Sequence, residues 1–102
     1  MGLQRVAAGD YRLHGDLSFA TVPELYRAAS SQWAQQMPAV VDLAGVGRSD
    51  SAGLALLVEW LRQAQSGQTM LCFSHIPDQL AKLIRISGLS QAFALPSQSS
   101  SR

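Results

Sequence analysis

Two short apolar runs, AVVDL at 39–43 and TMLCF at 69–73, flank a stretch from about Ala52 to Ser66 whose apolar residues recur at helical spacing. A strand, a helix and a second strand in that order need a crossover connection. The two strands then lie parallel in one sheet, with the helix packed on it. The flanking segments extend the pattern. Residues 3–7 and 11–17 are extended in character around a Gly9–Asp10 turn. Tyr11, Leu13 and Gly15 alternate with Arg12, His14 and Asp16, as in a half-buried hairpin. Thr21-Val22-Pro23-Glu24 has the form of a capping box, with Thr21 as N-cap and Glu24 three residues on. Val22, Leu25, Tyr26, Ala29 and Trp33 then follow a helical period that Pro38 closes. Gly67 is placed to stop the second helix. Pro77 opens a third, with Leu80, Leu83 and Ile84 on one face and Gly88 as its stop, and Phe93 lies in a short last strand. The order β-β-α-β-α-β-α-β predicts a single α/β domain over residues 1–96, a mixed sheet of four to five strands packed with about three helices. The Ser-rich tail 97–102 is expected to be disordered.

Composition narrows the function classes. A chain of 102 residues allows one compact domain and no second. Eight basic against seven acidic side chains, with Lys82 the single lysine, leave no electrostatic footprint for nucleic acid. The apolar runs are too short to span a bilayer, and MGLQRVAAGD lacks the apolar core of a secretory signal. The lone Cys72 cannot pair internally, which fits a cytoplasmic chain. Charged residues make up 15% against about 25% in an ordinary domain, which leaves room for an apolar contact surface.

Catalytic patterns are missing. His14 and His75 have no Cys, His or carboxylate at metal-ligand spacing and read as a surface strand residue and a loop residue. Cys72, inside an apolar strand, reads as a small buried hydrophobe. GVGRSD lacks the third glycine of a dinucleotide fingerprint, and Leu54 stands where a phosphate-binding loop needs lysine. Asp42 and Asp50 read as a strand end and a helix cap. No catalytic residue, metal site or cofactor is expected.

The informative stretch is Val40–Trp60. A buried strand runs through a small-residue loop, Ala44–Asp50, into a helix start that sets Ser49, Asp50, Ser51 and Ala52 beside unpaired backbone N–H groups. Leu54, Leu57, Val58, Leu61 and Ala64 give the helix a core stripe. Ala52, Leu56, Glu59 and Gln63 fall opposite, with Trp60 on the flank. Leu56 and Trp60, four residues apart, can touch. Either Trp60 packs against a neighbouring helix, or Leu56, Trp60 and the Ala52 end form an exposed apolar patch of the kind that marks protein interfaces. The candidate partner-binding set is therefore Ser49, Asp50, Ser51, Ala52, Leu56, Glu59, Trp60 and Gln63.

The string VDLAGVGRSDSAGLALL resembles the signature of STAS domains, the sulfate-transporter and anti-sigma-factor-antagonist family. LHGDLSFATVPEL resembles that family's second strand and first-helix entry. With TMLCFSHIPDQLAKLIRISGL, the resemblance covers roughly residues 9–95. Within the family, DSAGLALLVEWLRQA is most similar to the MlaB-like subunits of Mla phospholipid-transport ABC complexes. That resemblance implies a STAS-type fold and a non-catalytic cytoplasmic subunit, associated with the inner membrane only through the transporter. Its partner would be the ABC transporter ATPase subunit (MlaF-like), in a complex that maintains outer-membrane lipid asymmetry. It implies no cofactor, no small-molecule substrate and no direct membrane insertion. The alternative is an anti-sigma-factor antagonist regulated by a kinase, with Ser51 as the candidate phosphorylation site. Antagonists resemble D-S-S-G, whereas Ala52 precedes the glycine here. Ser51 matches the hydroxyl residue of the D-T-G-G that transporter-type sequences resemble. A phosphate on Ser51 would add about −1.5 to −2 charges at a helix N-terminus, which is electrostatically allowed.

Overall fold

The computed structural model describes residues 2–34 and 36–95. They form β1 (Gly2–Ala7), β2 (Asp10–Leu17), α1 (Val22–Gln32), β3 (Val40–Ser49), α2 (Ser51–Ser66), β4 (Cys72–Ser74) and α3 (Asp78–Ile86). The strands lie side by side in chain order. β1 pairs antiparallel with β2 across a turn at Gly9, whose φ of +80° suits glycine. β2–β3 and β3–β4 are parallel, so α1 and α2 are the crossovers that the alternating sequence requires. The result is a four-stranded mixed sheet with three helices.

The pleat sorts the strand residues. Tyr11, Leu13 and Leu17 of β2 and Val41, Leu43 and Val46 of β3 are buried in one cluster with Leu25, Ala29 and Trp33 around α1, Leu57, Trp60 and Ala64 of α2, and Leu80 and Ile84 of α3. Trp33 is its hinge: it meets Tyr11 edge-on at 5.6 Å and Trp60 edge-on at 4.8 Å, tying β2, α1 and α2 together. Arg12, Asp42 and Ser74 are in register across β2, β3 and β4 and share the other face of the sheet. There the Asp42 carboxylate accepts from the Ala44 N–H at 2.9 Å and faces His75 Nδ1 at 3.1 Å and Arg12 Nε at 3.9 Å. The Ala44 bond, then His75 and Arg12, hold the Asp42 carboxyl below its ordinary range.

Several expectations need correction. The segment 44–49 is not a loop, because β3 runs on to Ser49, pairing His14 with Gly45 and Leu17 with Ser49 through two register shifts. Glycine here serves close approach: a Cβ on Gly45 would sit 2.9 Å from the Cβ of His14. Thr21 does cap α1 by position, but its hydroxyl makes no cap bond. It lies 2.9 Å from the Asp16 carbonyl oxygen and accepts from the Ser18 N–H instead. β4 covers only Cys72–Ser74, and Cys72 is exposed on that edge strand rather than buried. Phe93 lies in a turn, not a strand, and is buried as a plug stacked on Phe73 at 5.6 Å. The expected disordered tail lies outside the described residues. Among those residues no helix is long and apolar enough to cross a membrane.

Candidate partner-binding site

The parallel β2–β3 pair ends in two chain segments that leave the sheet together, one toward α1 and one into α2. Asp50 joins them. Its backbone is extended and its N–H donates to the Leu17 carbonyl at 3.2 Å. One carboxylate oxygen accepts from the Gly53 N–H at 3.0 Å and caps α2. The other accepts from the Phe19 N–H at 3.0 Å, across 31 residues of sequence. These bonds, Phe19 first and Gly53 second, hold the Asp50 carboxyl below its ordinary range. Asp50 is therefore a brace between two segments, with both oxygens engaged.

Gly53 sets how closely those segments pack. A Cβ at this position would lie 2.0 Å from the Leu17 carbonyl oxygen and 2.7 Å from its carbonyl carbon. The first turn of α2 thus rests directly on the end of β2, and only a residue without a side chain fits. Ser51, the first residue of α2, is left exposed beside this junction. Phe19 is 79% exposed although its N–H is pinned to Asp50. A large apolar ring in water on a fixed backbone is the site's least expected feature.

The other predicted residues divide sharply. Ser49 is buried: its N–H donates to Gln79 Oε1 at 3.1 Å, and its hydroxyl has no partner among the described residues. Leu56 and Trp60 are buried as well, Trp60 to 1% exposure against Trp33, so the exposed Leu56/Trp60 patch does not form. Glu59 accepts from Arg62 at 2.7 and 2.9 Å and from Gln63 at 3.0 Å; chiefly through the Arg62 bonds its pKa is lowered to about 2. Glu59 and Gln63 are thus half-buried and bonded to their own helix. Ala52 is half-buried. The outward face of α2 carries Ser51, Ala55 and Arg62, with Val58 and Glu59 half-exposed between them.

Phe19 escaped the sequence reading because it belongs to neither periodic pattern. It sits between the last core residue of β2 and the cap of α1, where no strand or helix period assigns it a side. That absence of a burial partner was the available signal. Among the described residues, no group of three or more His, Cys, Asp or Glu side chains could hold a metal.

Comparison with known proteins agrees with this architecture. The family model described as "Mlab, STAS domain" matches residues 4–96. Among curated proteins none matches the chain in sequence. A sulfate transporter family protein from Wolinella succinogenes superimposes with a TM-score of 0.66 at 21% identity, over 88% of this chain and 75% of that one. The anti-sigma factor antagonist SpoIIAA in its unphosphorylated form gives 0.63 at 17% identity, over 82% and 80%.

Proposed function

The chain belongs to the STAS domain family, and from that premise we propose that it is a non-catalytic docking subunit that binds the ATPase of an ABC phospholipid transporter through the Phe19–Ser51 surface. The observation that carries this reading is the Asp50 brace, which pins the backbone of the exposed Phe19 to the residue just before the exposed Ser51. Large apolar side chains that project from a rigid backbone lose little entropy on docking and make good interface anchors. Such a subunit works in the cytoplasm and reaches the inner membrane only through its transporter. The complex it supports maintains outer-membrane lipid asymmetry, as the D-S-A-G-L-A-L-L string of the MlaB-like subunits implies.

The reading is tested by co-purification with the ABC transporter ATPase of the same organism. Phe19→Asp and Ser51→Arg should each weaken the complex at least about tenfold, as loss of an interface anchor does. Both positions are exposed, so the melting temperature should fall by no more than a few degrees, from the charge placed near the α2 N-terminus or the Asp50 carboxylate. Undiminished binding by both variants overturns the proposal. Trp60→Ala is the wrong probe, since emptying a buried Trp site costs about 3–5 kcal/mol of folding stability.

The exposed hydroxyl of Ser51 at the α2 N-terminus favours one second reading, an anti-sigma-factor antagonist switched by a kinase. Stoichiometric phosphate on Ser51 after incubation with an anti-sigma kinase, together with loss of that partner, decides for it.

A further inference from the structure

Away from the Phe19–Ser51 surface, on the β4 edge of the sheet, α3 and the 92–95 turn border a groove of about 510 Å³. Leu61, Leu71, Phe73, Ile76, Phe93 and Leu95 give it apolar walls. Arg85, from the last turn of α3, also lines it. The Arg85 Nε is buried and has no hydrogen-bond partner, and the guanidinium makes no ion pair among the described residues. Asp78 and His75 stand in the lining too. Asp78 lies in the first turn of α3, about 10 Å along the helix from Arg85, beyond pairing distance.

We propose that this groove binds a single-chain amphiphile with an anionic headgroup, its carboxylate or phosphate on Arg85 and its alkyl chain along the Leu71, Phe73 and Phe93 wall. The volume falls within the range of small-molecule sites, about 300–1,000 Å³. A buried N–H of a charged group without an acceptor is costly, and an anionic oxygen removes that cost with a charge-assisted bond. A neutral alcohol of equal length offers Nε an acceptor without the negative charge, and a cationic amphiphile adds repulsion. Arg85 is the one permanently charged cation among the described lining residues, and His75 is turned to Asp42, so one headgroup with one chain matches what the groove offers. This inference rests on the groove alone and stands or falls independently of ATPase docking.

The full chain can be titrated calorimetrically with decanoate, decyl phosphate, decanol and decyltrimethylammonium, each below its micelle concentration. Cys72, the single cysteine and a groove residue, provides a second readout through its rate of alkylation. Decanoate and decyl phosphate should bind saturably and slow the alkylation, and the tighter of the two identifies the natural headgroup. Decanol should bind about tenfold more weakly, and decyltrimethylammonium not at all. Arg85→Gln should weaken both anions about tenfold, the loss of one charge-assisted bond, and decanol distinctly less. Ala92→Trp, at an exposed rim position, should block every ligand while leaving the fold intact. No saturable binding of either anion overturns the proposal. So does decanol binding equal to decanoate, or unchanged anion affinity in Arg85→Gln.

Discussion

Each oxygen of the Asp50 carboxylate has its own task, and substitutions can separate them. Asparagine keeps one acceptor oxygen, so it can hold either the Gly53 N–H or the Phe19 N–H but not both. Alanine holds neither. The melting temperature should therefore fall by a few degrees in Asp50→Asn and further in Asp50→Ala, measured by thermal circular dichroism. Partner binding should fall in the same order, because the exposed Phe19 loses its fixed position although no contact atom has been removed. Equal stability of the two variants would show that only one of the two bonds matters. The sequence made the cap legible, since an acidic residue before a helical run is a strong local signal. It could not show the Phe19 bond, which spans two chain segments brought together only by the parallel β2–β3 pairing.

At the scale of elements, α2 shows why an apolar count can find a helix and miss its orientation. Its buried residues are Gly53, Leu54, Leu56, Leu57, Trp60 and Ala64. The expected stripe of Leu54, Leu57, Val58, Leu61 and Ala64 centres about a sixth of a turn from the observed face, which swings toward Gly53, Leu56 and Trp60. The residue nearest the sheet is Gly53, which adds nothing to a hydrophobic pattern yet marks the closest approach. The same cause hid the second half of β3, whose glycines looked like a loop because their closeness to β2 is a tertiary fact. Gly53→Ala should therefore be strongly destabilising, at or above the upper end of the about 1–3 kcal/mol typical of overpacking, because the obstructing Leu17 carbonyl is backbone and cannot swing away. Gly67→Ala is the matched control. A Cβ there meets the Gln63 and Ala64 carbonyl oxygens only at the ordinary contact distances of 3.5 and 3.8 Å, and φ is −86°, so it should be neutral or stabilising by about 0.4–1 kcal/mol. Denaturant unfolding of the pair measures both. Gly67 was read correctly as the helix stop, but the left-handed residue is its neighbour Gln68, with φ of 60°.

For the molecule as a whole, low charge shapes the response to pH. The alternation of strand and helix made the sheet and its parallel crossovers legible from sequence. The use of the few charges was less so where their bonds join segments far apart in the chain, as Asp42 does with His75 and Arg12, and Asp50 with Phe19. Of the seven acidic side chains, Asp42, Asp50 and Glu59 have carboxyl pKa values lowered by bonds made in the folded state. A folded pKa below the unfolded one means that the unfolded chain takes up protons first. The stabilisation is therefore complete above the ordinary carboxylate range, about 4, and is lost as pH falls through the folded values, which for Glu59 is about 2. The melting temperature should be level from about pH 7 to 5 and then decline steadily toward pH 2. Asp42→Asn should flatten part of that decline, because residue 42's interactions with Ala44 on its own strand, His75 after β4 and Arg12 on β2 then no longer depend on a carboxylate ionising. Glu59→Gln should flatten the part near pH 2, where Arg62 and Gln63 hold the Glu59 carboxylate. A melting temperature unchanged down to pH 2 in the parent chain would mean that these bonds persist in the unfolded state or contribute nothing to folding.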